Sequence, residues 1–362
     1  MSERDEKFER IEALLAEQGL DALLLKRASS FAWATCGASS YINTASDYGD
    51  ATLLIAPGRR QVFTTNIEAA RIGDEEGLTT QGWEIVVGDW FAMETALEGA
   101  THGLKLGADF PYPGAVDLSA AVSDLRSRLL PEEGERFRSL GRMCAEAMAA
   151  AIPQIRPGQT EHEIAGIVAH EAAARGAWPT VDLVATDERI YRYRHPLPTA
   201  KQLERYAMVV LCGRRHGLVC SITRLVHFGQ LPDELHHKQE ACARVDASFL
   251  TNTRPGAALR DVFAQATEAY AAAGFPDEWR LHHQGGPAGY EPRETLGKPD
   301  MDGVVREGQA YAWNPSITGV KIEDTILVSP SNNETLTEMH GWPMIEVEVN
   351  GQRCRRPAIL ER

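Results

Sequence analysis

The chain has 362 residues, 43% of them hydrophobic, enough to bury a sizeable core and to predict two domains. Its net charge of -14 excludes the basic footprint of a nucleic-acid-binding protein. No apolar run approaches the roughly 18 residues of a membrane span, and the residues from Met1 to Arg10 are too charged for a secretory signal. The six cysteines, Cys36, Cys144, Cys212, Cys220, Cys242 and Cys354, form no C-x-x-C pair and no zinc-finger spacing, so the expectation is a reduced, cytoplasmic protein.

Along the chain, residues 4–18 place Phe8, Ile11, Leu14 and Leu15 on one side and charges on the other, predicting an amphipathic helix closed by Gly19. A short buried strand follows at 21–25. Segments 51–56 and 61–65 flank Pro57-Gly-Arg-Arg60 as a hairpin, 83–87 and 104–107 read as strands, and a helix is expected near 116–130. The first domain should end near Pro131. A long helix over about 133–152 then carries Phe137, Leu140, Cys144, Ala147, Met148 and Ala151 on one face. Arg156-Pro-Gly158 precedes a capping box, Thr160 with Glu163, and a helix ending at Gly176. Arg-Pro-Gly returns at Arg254–Gly256, and Gly274 stands 18 residues beyond Gly256, as Gly176 stands 18 beyond Gly158. The repeat predicts a duplicated helix–strand unit with pseudo-twofold symmetry. Between the copies, 207–212 and 218–223 are strands joined by the polar turn Gly213-Arg-Arg-His-Gly217.

Four further segments carry chemistry: His195-Pro-Leu-Pro-Thr199, Ser221-Ile-Thr-Arg224, His282-His-Gln-Gly-Gly286-Pro-Ala-Gly289 with Arg293-Glu294 beyond it, and Asn314-Pro315 with Ile322-Glu323-Asp324. In order and spacing they resemble the pita-bread family of methionine aminopeptidase, prolidase, Xaa-Pro aminopeptidase and creatinase, over nearly the whole chain. The resemblance implies an α/β (α+β) protein, with a creatinase/prolidase-like N-terminal domain over 1–131 and a pita-bread domain over 132–362. It also implies a site built for two divalent ions held by two Asp, one His and two Glu, since hard or borderline ions need bridging anionic oxygens. Carried over one at a time, those positions hold Cys212 (Val210 in the alternative register of a shortened hairpin), Ser221, Gly286 and Asn314. Only Glu323 remains. The expectation is therefore no metal and no cofactor, although a Cys212–His283–Glu323 zinc site is conceivable. His162, Glu163, His170 and Glu171 lack H-E-x-x-H spacing and read as a solvated helix face, and His236-His237 also reads as surface.

Creatinase implies that this scaffold can hydrolyse a C–N bond without metal. On that pattern His195, Glu323, His282 and His283 are the catalytic candidates, His195 moving protons and Glu323 holding charge or geometry. Arg224, Arg293, Glu294, Cys212 and Asn314 are candidates for binding a small-molecule or dipeptide-like substrate, the guanidinium groups gripping a carboxylate. Each has a structural alternative: an ion pair for the arginines, and buried filler for Cys212, whose functional rival is a Cys–His nucleophile. The expected function is metal-independent hydrolysis of a C–N bond in a small amide or amidine. A catalytically silent binder is the rival, and a metal-dependent Xaa-Pro peptidase a third reading. The resemblance further implies a homodimer.

Overall fold

A computed structural model describes residues 2–362 and divides them into two compact units, residues 2–133 with 216–218, and 134–215 with 219–362. In the first unit, α1 (Glu3–Gln18) is capped by the Ser2 hydroxyl, which accepts from the Asp5 N–H, and ends at Gly19, whose φ of +64° is the left-handed cap that favours glycine. Lys7 departs from the expected polar face: it is fully buried, with Nζ 2.6 Å from Glu3 and 2.8 Å from Glu133, and donates to the Trp33 carbonyl. Strands β1 (Ala22–Arg27), β2 (Tyr48–Ala56), β3 (Arg59–Thr65), β4 (Glu84–Gly88), β5 (Leu106–Ala108) and β6 (Val116–Asp117) make one sheet in the order β4-β3-β2-β1-β5-β6. Helices α2 (Ala28–Ala34) and α3 (Met93–Thr101), not foreseen from the sequence, also belong to this unit. The helix expected near 116–130 is shorter, α4 (Ser119–Ser127), because Val116–Asp117 pairs with β5. Leu24, Leu54, Phe63, Leu97 and Leu106 form a core cluster.

In the second unit α5 (Pro131–Ala151) is followed by α6 (Glu161–Ala174), whose capping box of Thr160 and Glu163 is present with both reciprocal bonds. Next come β7 (Trp178–Thr186), α7 (Glu188–Arg192), β8 (Tyr206–Arg215), β9 (Leu218–His227), α8 (Asp233–Asn252) and α9 (Leu259–Ala272). Short strands follow: β10 (Gly285–Ala288), β11 (Ala310–Trp313), β12 (Ser316–Ile317), β13 (Val320–Lys321), β14 (Asp324–Leu327) and β15 (Glu334–Thr335). A hairpin of β16 (Met344–Val349) and β17 (Gln352–Pro357) precedes β18 (Leu360–Glu361). The two larger sheets run β18-β9-β8-β7 and β10-β11-β14-β15.

The repeat is visible in backbone detail. Gly158 and Gly256 both have φ of +90°, and Gly176 and Gly274 have φ of +80° and +86°. The Gly158 N–H donates to Leu203 O at 2.8 Å, and the Gly256 N–H to Val305 O at 2.9 Å. Helices α6 and α9, each starting one residue after the equivalent bridges of Thr160 to Gln202 and Ala258 to Val304, are each 14 residues long. No helix among the described residues is long and apolar enough to cross a membrane, and none of the six cysteines is in a disulfide.

Candidate active site

Strands and loops of the second unit assemble the site. β9 has a period of two, so Ser221 and Thr223 share a face while Arg224 points to the other. An isolated bridge joins Thr223 to Glu323, the Thr223 N–H donating to the Glu323 carbonyl at 3.1 Å. Glu323 just precedes β14, and Trp313 pairs with Asp324, so the ladder brings Asn314 opposite Glu323.

Glu323 is 2% exposed, and both of its carboxylate oxygens are taken. Arg293 donates from Nη2 to Oε1 at 2.6 Å; Lys321 Nζ lies 2.9 Å from Oε2, to which Thr223 Oγ1 donates at 2.6 Å. Burial alone would raise this carboxyl, but the two cations and the Thr223 hydroxyl overcome it and hold Glu323 far below the usual carboxylate range. Arg293 also donates from Nη1 to Ser221 Oγ at 3.3 Å. Lys321 escaped the sequence reading, although its signal was there: residues i and i+2 of an extended segment face the same way, as Lys321 and Glu323 do.

A cluster of three imidazoles is the second part. His282 is buried, His283 half-buried and His195 exposed, with ligand nitrogens within 4.8 Å of one another. His195 Nε2 and His282 Nε2 are 3.0 Å apart and share a hydrogen bond. Burial, followed by the charge of Lys321, pushes His282 down to about 2; burial, followed by Arg293, pushes His283 to about 4. His195 is lowered by the same two influences, burial and Lys321, partly opposed by Glu323. The Gly285 N–H donates to His283 Nδ1 at 3.3 Å, which assigns the proton of this neutral ring to Nε2.

Cys212, not Val210, faces Ser221: its Sγ is 3.2 Å from Ser221 Oγ, while Val210 belongs to the apolar core. Burial, then Glu323, pushes the Cys212 thiol up to about 11, so a thiolate nucleophile is disfavoured. Arg224 departs from its expected place: 2% exposed on the opposite face, it pairs with Asp324 at 2.8 Å and donates to Thr337 O at 3.1 Å. Arg356 joins the same network, 2.9 Å from Asp324 and paired with Asp246. Arg293 pairs with Glu323 rather than with Glu291 or Glu294, so its Nη2 is engaged by a carboxylate of the chain itself. Glu294 closes its own loop, Oε1 accepting from the Tyr290 N–H at 2.9 Å and the Glu291 N–H at 3.2 Å. Asn314 is buried, and its Oδ1 has no hydrogen-bond partner among the described residues.

Gly286 has φ of +148°, and a Cβ there would lie 2.4 Å from the Thr295 carbonyl oxygen. A side chain at this position therefore needs a different backbone.

Residues 135–330, over half of the chain, match the model of metallopeptidase family M24. The chain belongs to that family. It is 24% identical over 356 residues to an Xaa-Pro dipeptidase of Pyrococcus horikoshii, covering 92% of this chain and 97% of that one. An uncharacterized peptidase of Bacillus subtilis is 23% identical over 357 residues, covering 91% and 97%. Among solved structures, the prolidase from Pyrococcus horikoshii superposes with a TM-score of 0.79 at 20% identity, over 92% of this chain and 99% of that one. The Xaa-Pro dipeptidase from Bacillus anthracis gives 0.78 at 22% identity, over 99% and 100%. The fold is thus the α/β prolidase-like arrangement, an N-terminal domain followed by a pita-bread domain.

Proposed function

We propose that this M24 member hydrolyses a C–N bond in a small amide, amidine or peptide-like substrate without a metal ion. The capped state of Glu323 carries the reading. An M24 metal centre needs several anionic oxygens open to the ions. Here the corresponding positions are Cys212, Ser221, Gly286 and Asn314, the Asn314 Oδ1 is a neutral acceptor, and both Glu323 oxygens are engaged by fixed cations. These residues do not fit a dinuclear metal group.

The neutral histidine pair supplies an alternative. His195, on the exposed side, takes a proton from water as the water oxygen attacks the substrate carbon. It returns that proton to the leaving nitrogen as the C–N bond breaks. Its 3.0 Å bond to His282 fixes the ring that moves the proton. Glu323 is a positioning residue that holds Arg293 and Lys321.

General acid–base catalysis is worth about 10²–10⁴ in rate, so His195→Ala should reduce turnover by that factor while leaving ligand binding within a few fold. The assay is a panel of small amides, ureas, amidines and dipeptides, run with and without chelator. Chelator-resistant, His195-dependent turnover supports the reading. Activity that requires added manganese, or a His195→Ala variant with most of its activity, overturns it. The saturation of Glu323 also favours a second reading, a catalytically silent binder: one panel compound bound at this pocket with none turned over would establish that instead.

A further inference from the structure

The first unit holds a cavity of about 690 Å³ that the hydrolytic site does not use. Its wall is built at the carboxyl ends of neighbouring strands. Arg27 ends β1, Asp109 to Pro113 follow β5, and Asp117 ends β6. These three strands run parallel, whereas β2, on the other side of β1, is antiparallel and begins at Tyr48, the register partner of Arg27. A crevice beyond the carboxyl ends of parallel strands, where the neighbours of one strand diverge, is where open α/β sheets take ligands. The volume falls within the range of small-molecule pockets, roughly 300–1,000 Å³.

The lining narrows the chemistry. Tyr48, Phe110 and Tyr112 form an aromatic row, with centroids 6.5 Å and 5.8 Å apart in edge-to-face geometry. Arg27 lies over the Tyr48 ring at 5.4 Å, and its Nε donates to the Asp109 carbonyl at 3.1 Å, which fixes the guanidinium plane. Its nearest carboxylate, exposed Asp47, is 3.7 Å from Nη1, beyond hydrogen-bond length, so the terminal edge keeps its donor capacity. Asp109 does not compete for that edge with its carboxylate, which is buried and accepts from the Lys26 N–H at 2.8 Å and the Arg27 N–H at 3.3 Å. Asp117, at the rim, accepts from the Ser119 N–H. With Asp47 it would repel a second negative charge.

We propose that this cavity binds a planar aromatic monocarboxylate, its ring against the aromatic row and its carboxylate on the terminal edge of Arg27. Calorimetric titration of the full chain with 4-hydroxybenzoate, 4-hydroxybenzamide and terephthalate tests this independently of any hydrolytic activity. The acid should bind saturably and about tenfold or more tighter than the isosteric amide, with terephthalate weaker than 4-hydroxybenzoate. Arg27→Met should bring the acid down to the affinity of the amide, and Asp47→Asn should leave the acid unchanged or tighter. Equal binding of acid and amide by the unaltered protein, no saturation at millimolar acid, or an Arg27→Met variant that still prefers the acid overturns the proposal. The acid–amide comparison needs no variant, so it decides even if Arg27→Met fails to fold.

Discussion

At the scale of single residues, the site is governed by cations that belong to the chain. Lys321 and Arg293 keep Glu323 ionised, and burial, aided by Lys321 at His282 and by Arg293 at His283, keeps both imidazoles neutral. This makes the fold acid-sensitive. A histidine at 6.5 in the unfolded chain and about 2 in the fold binds its proton more readily when unfolded. The stability it contributes is fully present above 6.5 and is lost as pH falls from there toward 2. The slope is about 1.4 kcal/mol per pH unit for one such group. His283 acts in the same direction from 6.5 toward about 4, and Glu323, whose carboxyl is depressed, adds a loss below 4.5. Denaturant midpoints should fall between about pH 7 and about pH 5, and His282→Gln should flatten that fall. A variant with an undiminished pH dependence would place the sensitivity elsewhere.

At the scale of elements, strand alternation sorts the charges. Thr223 and Glu323 meet in the site, while their chain neighbours Arg224 and Asp324 turn away into a buried network with Arg356 and Asp246. That network is structural. Asp324→Asn leaves the Arg224 and Arg356 guanidinium groups, each at most 3% exposed, without their shared carboxylate. Removing one partner of a buried pair costs about 3–5 kcal/mol, so unfolding midpoints should drop by a corresponding amount. A near-neutral Asp324→Asn would show that the Thr223, Glu323 and Thr337 carbonyls and Asp246 satisfy the two guanidinium groups. The Arg-Pro-Gly repeat, the capping box and the β8–β9 hairpin were legible in the sequence because each is local: glycine supplies positive φ, and Thr160 and Glu163 bond within one turn. Burial of Lys7 was not legible, because its partner Glu133 is distant in sequence.

At the scale of the whole molecule, the matched helices, glycine conformations and bridges show two copies of one helix–strand unit in the second domain. We propose that the chain pairs as a homodimer, the commonest closed assembly. Light scattering at micromolar concentration should give twice the mass of one chain or a multiple of that, and the mass of a single chain would overturn this.

The sequence by itself determined the family scaffold and the order of its motifs, because these depend on residue identity and spacing along one chain. Only the tertiary structure decided which candidates share a site. It places Cys212 rather than Val210 against Ser221, removes Arg224 to the opposite face, couples His195 to His282, and brings Arg293 and Lys321 onto Glu323. The reason is physical: pairing across strands and the burial that fixes protonation arise only when segments distant in sequence exclude water together.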